Sequence, residues 1–278
     1  VGLRAIDHTT PEELVYMIVG RKTRQVIKTT SALGAPVLSV RDMTLDVAGP
    51  VSFDLHRNEM LGLVGLRGAG HEAVSRALFG DWAFEGQVTL NDAVPDLRSP
   101  QTALLSGIGL VARDRTEESV AMSLTIRENT FLNPNTMGRK ILSFMRPKTE
   151  TKLAHAIGEG VALSPNDQSM TIESLSGGNQ QKVVIGRWLA TKRKLLICED
   201  PTAGVDVGAK AEIYALLNRA MEQGVGIIIV STDFEEVAAV CHRAIVFSQG
   251  KIAGQLSGAE LTTENLIQAA SAGNATAH

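Results

Sequence analysis

The stretch MLGLVGLRGAGHEA, residues 60 to 73, constrains the fold of this chain more than any other. A continuous apolar run leads straight into a glycine-rich loop, and helix-compatible residues follow. A strand without polar alternation is buried on both faces, so its sheet must be covered by other layers on both sides. Runs of the same kind recur as KLLICED (194 to 200), GIIIVSTD (226 to 233) and RAIVFSQGKIAG (243 to 254), separated by helical stretches such as AKAEIYALLNRAMEQG. Apolar strands that alternate with helices predict an α/β domain built on a mainly parallel sheet. Shorter β-rich runs precede the loop, and EGQVTLND (85 to 92) marks another strand boundary. From about residue 100 to 185 the periodicity turns helical, which predicts a helical insertion into the sheet.

Composition narrows the possible partners. Lys plus Arg number 27 against 30 Asp plus Glu, a net charge of −3 with no basic cluster, and this predicts no nucleic-acid partner. Cys198 and Cys241 lie in apolar surroundings at no zinc-binding spacing and read as core thiols. The longest apolar run, GVGIIIV, is far short of the roughly 20 residues that cross a bilayer. With no signal peptide at its start, the chain is expected to be soluble and cytoplasmic.

Two similar phrases bracket the chain. TTPEELVYMIVG (9 to 20) reads as a helix capped by Thr10, with Leu14, Met17 and Ile18 on one face, and TTENLIQAASAG (from Thr262) repeats its T-x-E-x-L pattern. SALGAP (31 to 36) reads as a linker. Residues 1–35 are therefore expected to close a preceding unit, and 36–278 to form one whole domain, with about 113–185 as its helical subdomain. The opening at Val1 fits a piece of something longer.

Gly65, Arg67, Gly68, Ala69, Gly70, His71 and Glu72 fall on the G-x-x-x-x-G spacing of a phosphate-binding loop. Glycines there let backbone N–H groups converge on phosphate oxygens at a helix start, whatever the side chains. The lysine and the hydroxyl that should follow are His71 and Glu72, which make the site about two charges more negative than a standard one. A like charge about 4 Å from a phosphate costs roughly 1 kcal/mol in water and about 4 kcal/mol at an effective dielectric of 20. Taken alone, the loop fits a weak nucleotide site and a plain strand-to-helix turn equally well. The spacing is reversed relative to a dinucleotide-binding loop.

LSGGNQQK, Leu175 to Lys182, sets a serine and two glycines ahead of a helix, a ready site for a phosphate arriving from outside. Its wording resembles the signature motif of ATP-binding-cassette (ABC) ATPases. The other cassette landmarks then fall at the expected intervals. LLICED followed by PTAGVDVGAK resembles the Walker B strand and the loop after it, with Glu199 and Asp200 in the reverse of the usual order and Asp206 at the D-loop position. Asp233 stands where a histidine would contact the γ-phosphate, and an ionised carboxylate cannot donate that hydrogen bond. Arg113 stands where a metal-contacting glutamine is usual. Glu199, and more weakly Glu72, are left as residues that could hold Mg²⁺.

TTPEELVYMIVGRK, VGLRGAGHEA, LSGGNQQK, PTAGVDVGAK and STDFEEV together are similar to the second half of the duplicated ABC ATPases that power bacterial import of ribose, galactose, arabinose and related monosaccharides. The resemblance covers nearly the whole chain. It implies an ABC-type P-loop nucleotide-binding domain with an antiparallel β subdomain, ATP and Mg²⁺ as cofactors, and ATPase activity in the two-cassette protein. The implied partners are an N-terminal cassette in the same polypeptide, a membrane permease docked on the helical subdomain and, indirectly, a periplasmic or surface sugar-binding protein. The implied location is the cytoplasmic face of the membrane. Family members keep arginine and threonine where His71 and Glu72 stand. The chain's own site, with Glu199, Asp200 and Asp233 in catalytic positions, is thus expected to be degenerate, while Ser176, Gly177, Gly178 and Gln180 complete a site on the first cassette. A non-hydrolysing nucleotide-binding or regulatory module is the alternative.

Overall fold

The apolar runs form the centre of the molecule. The computed structural model describes residues 33–132 and 146–272. Strands β1 (Pro36–Leu45), β2 (Ala48–His56) and β3 (Met60–Gly65) lead into helix α1 (His71–Leu78), followed by β4 (Glu85–Leu90), α2 (Pro100–Ser106) and β5 (Ile108–Val111). Among the described residues four α-helices come next: α3 (Arg115–Glu118), α4 (Ile126–Thr130), α5 (Pro147–Gly160) and α6 (Gly177–Ala190). The chain then returns through β6 (Leu195–Glu199), α7 (Val207–Glu222), β7 (Gly226–Ser231), α8 (Phe234–Val240), β8 (Arg243–Ser248), β9 (Lys251–Ser257) and α9 (Thr263–Ala272). The expected helix at 9 to 20 lies outside the described residues.

The main sheet runs β5-β6-β7-β3-β8-β9, parallel except for β9. Every residue of β3, β6, β7 and β8 is buried, as their unbroken apolar pattern requires. A second sheet, β2-β1-β4, is antiparallel and alternates buried and exposed positions. One core layer fills the space between the two sheets with Leu38, Val51, Leu61, Leu63 and Phe247, and the other packs the far face of the main sheet against α6 and α7. The buried pair Arg243 Nε to Glu59 Oε1, 2.7 Å, ties β8 to the turn before β3, and Arg243 also donates to the Asp54 carbonyl of β2.

Two local expectations change. The stretch read as helical from residue 100 contains β5, an edge strand paired with β6, because IGLV is too short to display a strand period. RAIVFSQGKIAG is a hairpin rather than one strand. It turns at Gln249 and Gly250, both with positive φ (50° and 78°), as a tight two-residue turn demands. Thr262 does cap α9: its Oγ1 accepts from the Asn265 amide at 3.2 Å. Cys198 and Cys241 form no disulfide, both are fully buried, and burial pushes the Cys198 thiol up.

Candidate functional site

Strand register brings the phosphate loop and the acidic strand end together. Val64 pairs with Ser231, Glu199 with Val230 and Val111 with Cys198, so the C-terminal ends of β3, β5, β6 and β7 open onto one edge of the sheet. Ligands bind at such an edge in open α/β sheets. Arg113 and Asp200 each lie two residues beyond a paired position and meet across the β5–β6 boundary.

The loop itself has the expected backbone form. A Cβ on Gly65 would stand 2.8 Å from the Phe247 carbonyl and from the Ala69 side chain, so only glycine fits there. Gly68 and Gly70 have φ of 78° and 105°, values that side-chain-bearing residues avoid. Leu66, Arg67 and Gly68 are exposed at the tip, and Ala69 and Gly70 are buried at the start of α1.

The side chains around the loop are already engaged with one another. His71 is completely buried and turned inward, its ring centroid 6.2 Å from that of Phe247, and does not reach the outer surface of the loop. Neither ring nitrogen has a hydrogen-bond partner. Burial pulls its pKa down to about 4 against the opposing charges of Glu72 and Asp200, so the ring is neutral at pH 7. A lysine-like contact with phosphate, the role of that position in a standard loop, is therefore absent from this arrangement.

Glu72 turns the other way. Its Oε1 lies 2.7 Å from Arg113 Nη1, and its Oε2 accepts from the Gly68 amide of the loop at 3.4 Å. Burial works against its charge, but Arg113 outweighs burial and holds the carboxyl below its usual range. Arg113 Nε also lies 2.5 Å from Asp200 Oδ2, and the other Asp200 oxygen accepts from Ser231 Oγ at 2.6 Å. Glu199 is fixed separately: Ser75 Oγ donates to it at 2.6 Å, and Arg76 makes two bonds to it at 2.9 and 2.7 Å. Arg76 also pairs with Glu118 of α3, and these carboxylates raise its pKa.

These partners bear on the implied cofactors. Mg²⁺ needs oxygen ligands free to face it. Here Glu199, Glu72 and Asp200 each face a guanidinium, and among the described residues no three His, Cys, Asp or Glu side chains gather as a metal site. The residues present do not fit a divalent metal in this arrangement. The loop's backbone suits phosphate in shape, but a carboxylate stands on it.

The signature segment is arranged quite differently. Ser176 is exposed and caps α6, and its oxygen accepts from the Asn179 amide and side chain at 3.4 and 3.0 Å, which leaves its proton free to point outward. Gly177 and Gly178 follow at the positive end of this helix. A Cβ on Gly178 would stand 2.5 Å from Ala209 Cβ, and one on Gly177 would stand 2.6 Å from Arg115 and 2.8 Å from the Gly204 carbonyl. The segment is thus clamped to the loop after β6. Asp206 caps α7 by accepting from the Ala209 amide at 2.9 Å, and Asp233 caps α8 by accepting from the Glu236 amide at 3.0 Å. Gln180 points inward, donating to the Ile172 and Leu175 carbonyls and accepting from Arg115 Nε, so it braces the segment from within.

Ser75, Arg76, Arg115 and Ser231 are the participants that sequence reasoning missed. Arg76 stands one helical turn after Glu72, a weak signal, and Arg115 stands two residues after Arg113.

On the far side of α1, a groove of about 460 Å³ lies between the sheet layer and the helical insertion. Its lining includes Phe79, Leu104, Val120 and Trp188, with exposed carboxylates at Asp81, Glu117 and Glu118, of which Asp81 and Glu118 pair with Arg76. Arg187 supports its floor, buried over the Trp188 ring at 5.3 Å and donating to the Ser119 and Asn129 carbonyls, and burial lowers its pKa to about 10.

The ABC transporter family profile matches residues 48–203, more than half of the chain. The chain belongs to the ABC transporter family. It is similar to ribose import ATP-binding protein RbsA 3 of Rhizobium meliloti (strain 1021), 35% identical over 100% of this chain and 56% of that protein. It is also similar to ribose import ATP-binding protein RbsA of Lactococcus lactis subsp. cremoris (strain SK11), 37% identical over 98% of this chain and 56% of that protein. The chain thus spans about half the length of the curated relatives it matches. Among solved structures, the ADP conformation of MJ1267, an ATP-binding cassette of an ABC transporter, superposes with a TM-score of 0.71 at 20% identity, covering 84% of this chain and 95% of that one. The cbiO1 structure from Clostridium perfringens gives 0.68 at 20% identity over 84% of this chain and 92% of that one. These likenesses establish the ABC nucleotide-binding-domain fold. Among the described residues no helix is long and apolar enough to cross a membrane.

Proposed function

We propose that this chain is the second cassette of a two-cassette ATPase that drives sugar import, and that its main contribution is the signature helix. ATP would be held chiefly by the phosphate loop and metal ligands of the first cassette. The Ser176 hydroxyl and the first amides of α6 would close over the terminal phosphate from this side, where a positive helix end favours the charge. The single observation that carries this reading is the contrast between the two ends of the domain. The exposed Ser176 hydroxyl is used only as an acceptor, whereas Glu72, Glu199 and Asp200 of the chain's own site each face a guanidinium. Ribose and related monosaccharides are the cargo that the relatives' names support.

On this reading the groove beside α1 receives a helix of a membrane permease at the cytoplasmic face, with the permease passing on sugar delivered by an external binding protein. An apolar floor suits an amphipathic helix, and its rim carries Glu117 beside Asp81 and Glu118, which share Arg76. The groove joins α1, adjacent to the phosphate loop, to α3 and α6 of the insertion. Closure of the cassette pair would therefore move it as a rigid body. The test is Ser176→Arg in the two-cassette protein: ATPase activity is lost if α6 completes the working site, and retained if it does not.

A further inference from the structure

We propose that the phosphate loop is occupied by the chain's own charges, with Glu72 as its resident anion and Arg113 as its resident cation, so that a nucleotide enters only by displacing the Glu72 carboxylate. The inference rests on reading this loop as the nucleotide cradle of a cassette, and it concerns what regulates that cradle. The loop's Gly68 amide is a donor for an incoming phosphate oxygen, and it already points at Glu72 Oε2. That contact is long at 3.4 Å, but the 2.7 Å ion pair from Arg113 to the other oxygen fixes the carboxylate in place. Arg113 in turn is anchored 2.5 Å from Asp200, which Ser231 holds from the β7 side. Loop, β5, β6 and β7 are thereby joined by one chain of contacts across the mouth of the site.

The charges agree with the geometry. Glu72, Arg113 and Asp200 sum to −1, Glu199 is neutralised by Arg76, and His71 is neutral because its ring is buried without a partner. A polyphosphate approaching this mouth meets a net negative cluster. A divalent cation meets a guanidinium that it would have to expel. Arg113 lies between the Glu72 carboxylate of α1 and the Asp200 carboxylate just after β6, and it contacts both. Removing the Glu72 charge weakens the hold on the Gly68 amide and leaves Arg113 with one open face, which takes the mouth from a net −1 to neutral.

The test is equilibrium binding of ATP to the 278-residue chain, wild type against Glu72→Gln, each with Mg²⁺ and with EDTA. Glu85→Gln on β4 serves as a control for the same change in net charge. The wild type is expected to bind weakly, and Glu72→Gln to bind at least tenfold more tightly than both the wild type and the control. The gain is expected to be equal with Mg²⁺ and with EDTA, because Arg113 supplies the cation. Glu72→Ala is the second variant should the glutamine form fail to fold. A Glu72→Gln affinity equal to that of the wild type overturns the proposal, and so does a gain that appears only with Mg²⁺. Neither outcome touches the trans role of Ser176, which is read from ATPase activity and not from this affinity.

Discussion

Replacing His71 with leucine is expected to flatten the acid dependence of stability in this domain. The imidazole is fully buried beside Phe247 with both ring nitrogens unpartnered, and burial lowers its pKa from 6.5 to about 4. As pH falls through 6.5 the unfolded chain takes up a proton at this position, while the folded chain does not until about pH 4. Stability from the neutral ring is therefore fully present above pH 6.5 and lost as pH falls toward 4. At about 1.4 kcal/mol per pKa unit, this amounts to roughly 3 kcal/mol across the window, most of it lost by about pH 4.5. Urea denaturation of both proteins at pH 7 and pH 4.5, followed by circular dichroism, measures it. Wild type should lose about 2.5 kcal/mol more than His71→Leu between the two conditions. Equal losses would show that the ring is not held neutral, and the inward-facing His71 would be wrong.

Two further outcomes follow from the packing. Arg76→Ala leaves the buried Glu199 carboxylate with only Ser75, and should destabilise the domain by about 3 kcal/mol, read as a lower urea midpoint at pH 7. The low end of the usual range applies because the Arg76 side chain keeps 21% of its exposure. Gly178→Ala forces a methyl to 2.5 Å from Ala209, an overpacking that should cost about 1–3 kcal/mol, visible as a lower Tm in calorimetry.

How much was legible in the sequence follows from what each feature depends on. The buried strands β3, β6, β7 and β8 declare themselves because burial on both faces leaves no polar position to alternate. The backbone of the phosphate loop is equally plain, since glycines at fixed spacing record where φ is positive and where another backbone comes close. β5 is not legible, because four residues carry no period. The partners within the site escape for a different reason. That Arg113 reaches both Glu72 and Asp200 depends on the pairing of Val111 with Cys198 across the sheet. That Arg76 neutralises Glu199 depends on which face of α1 lies over β6. The motif positions of His71 and Gln180 predict side chains that face a nucleotide. The structure turns both inward, where Phe247, the Ile172 and Leu175 carbonyls and Arg115 surround them. A motif thus fixes the backbone path more firmly than the direction of a substituted side chain.

The most direct test of the central claim is the steady-state ATPase rate of the two-cassette protein carrying Ser176→Arg. Arginine at the exposed cap removes the hydroxyl and places a bulky cation at the start of α6, while the buried residues of α6 stay packed. If this chain completes a nucleotide site on its partner cassette, the rate falls by roughly 10²-fold or more, while loss of the cap lowers the melting temperature by only a few degrees. A variant that folds and hydrolyses ATP at the wild-type rate would contradict the account.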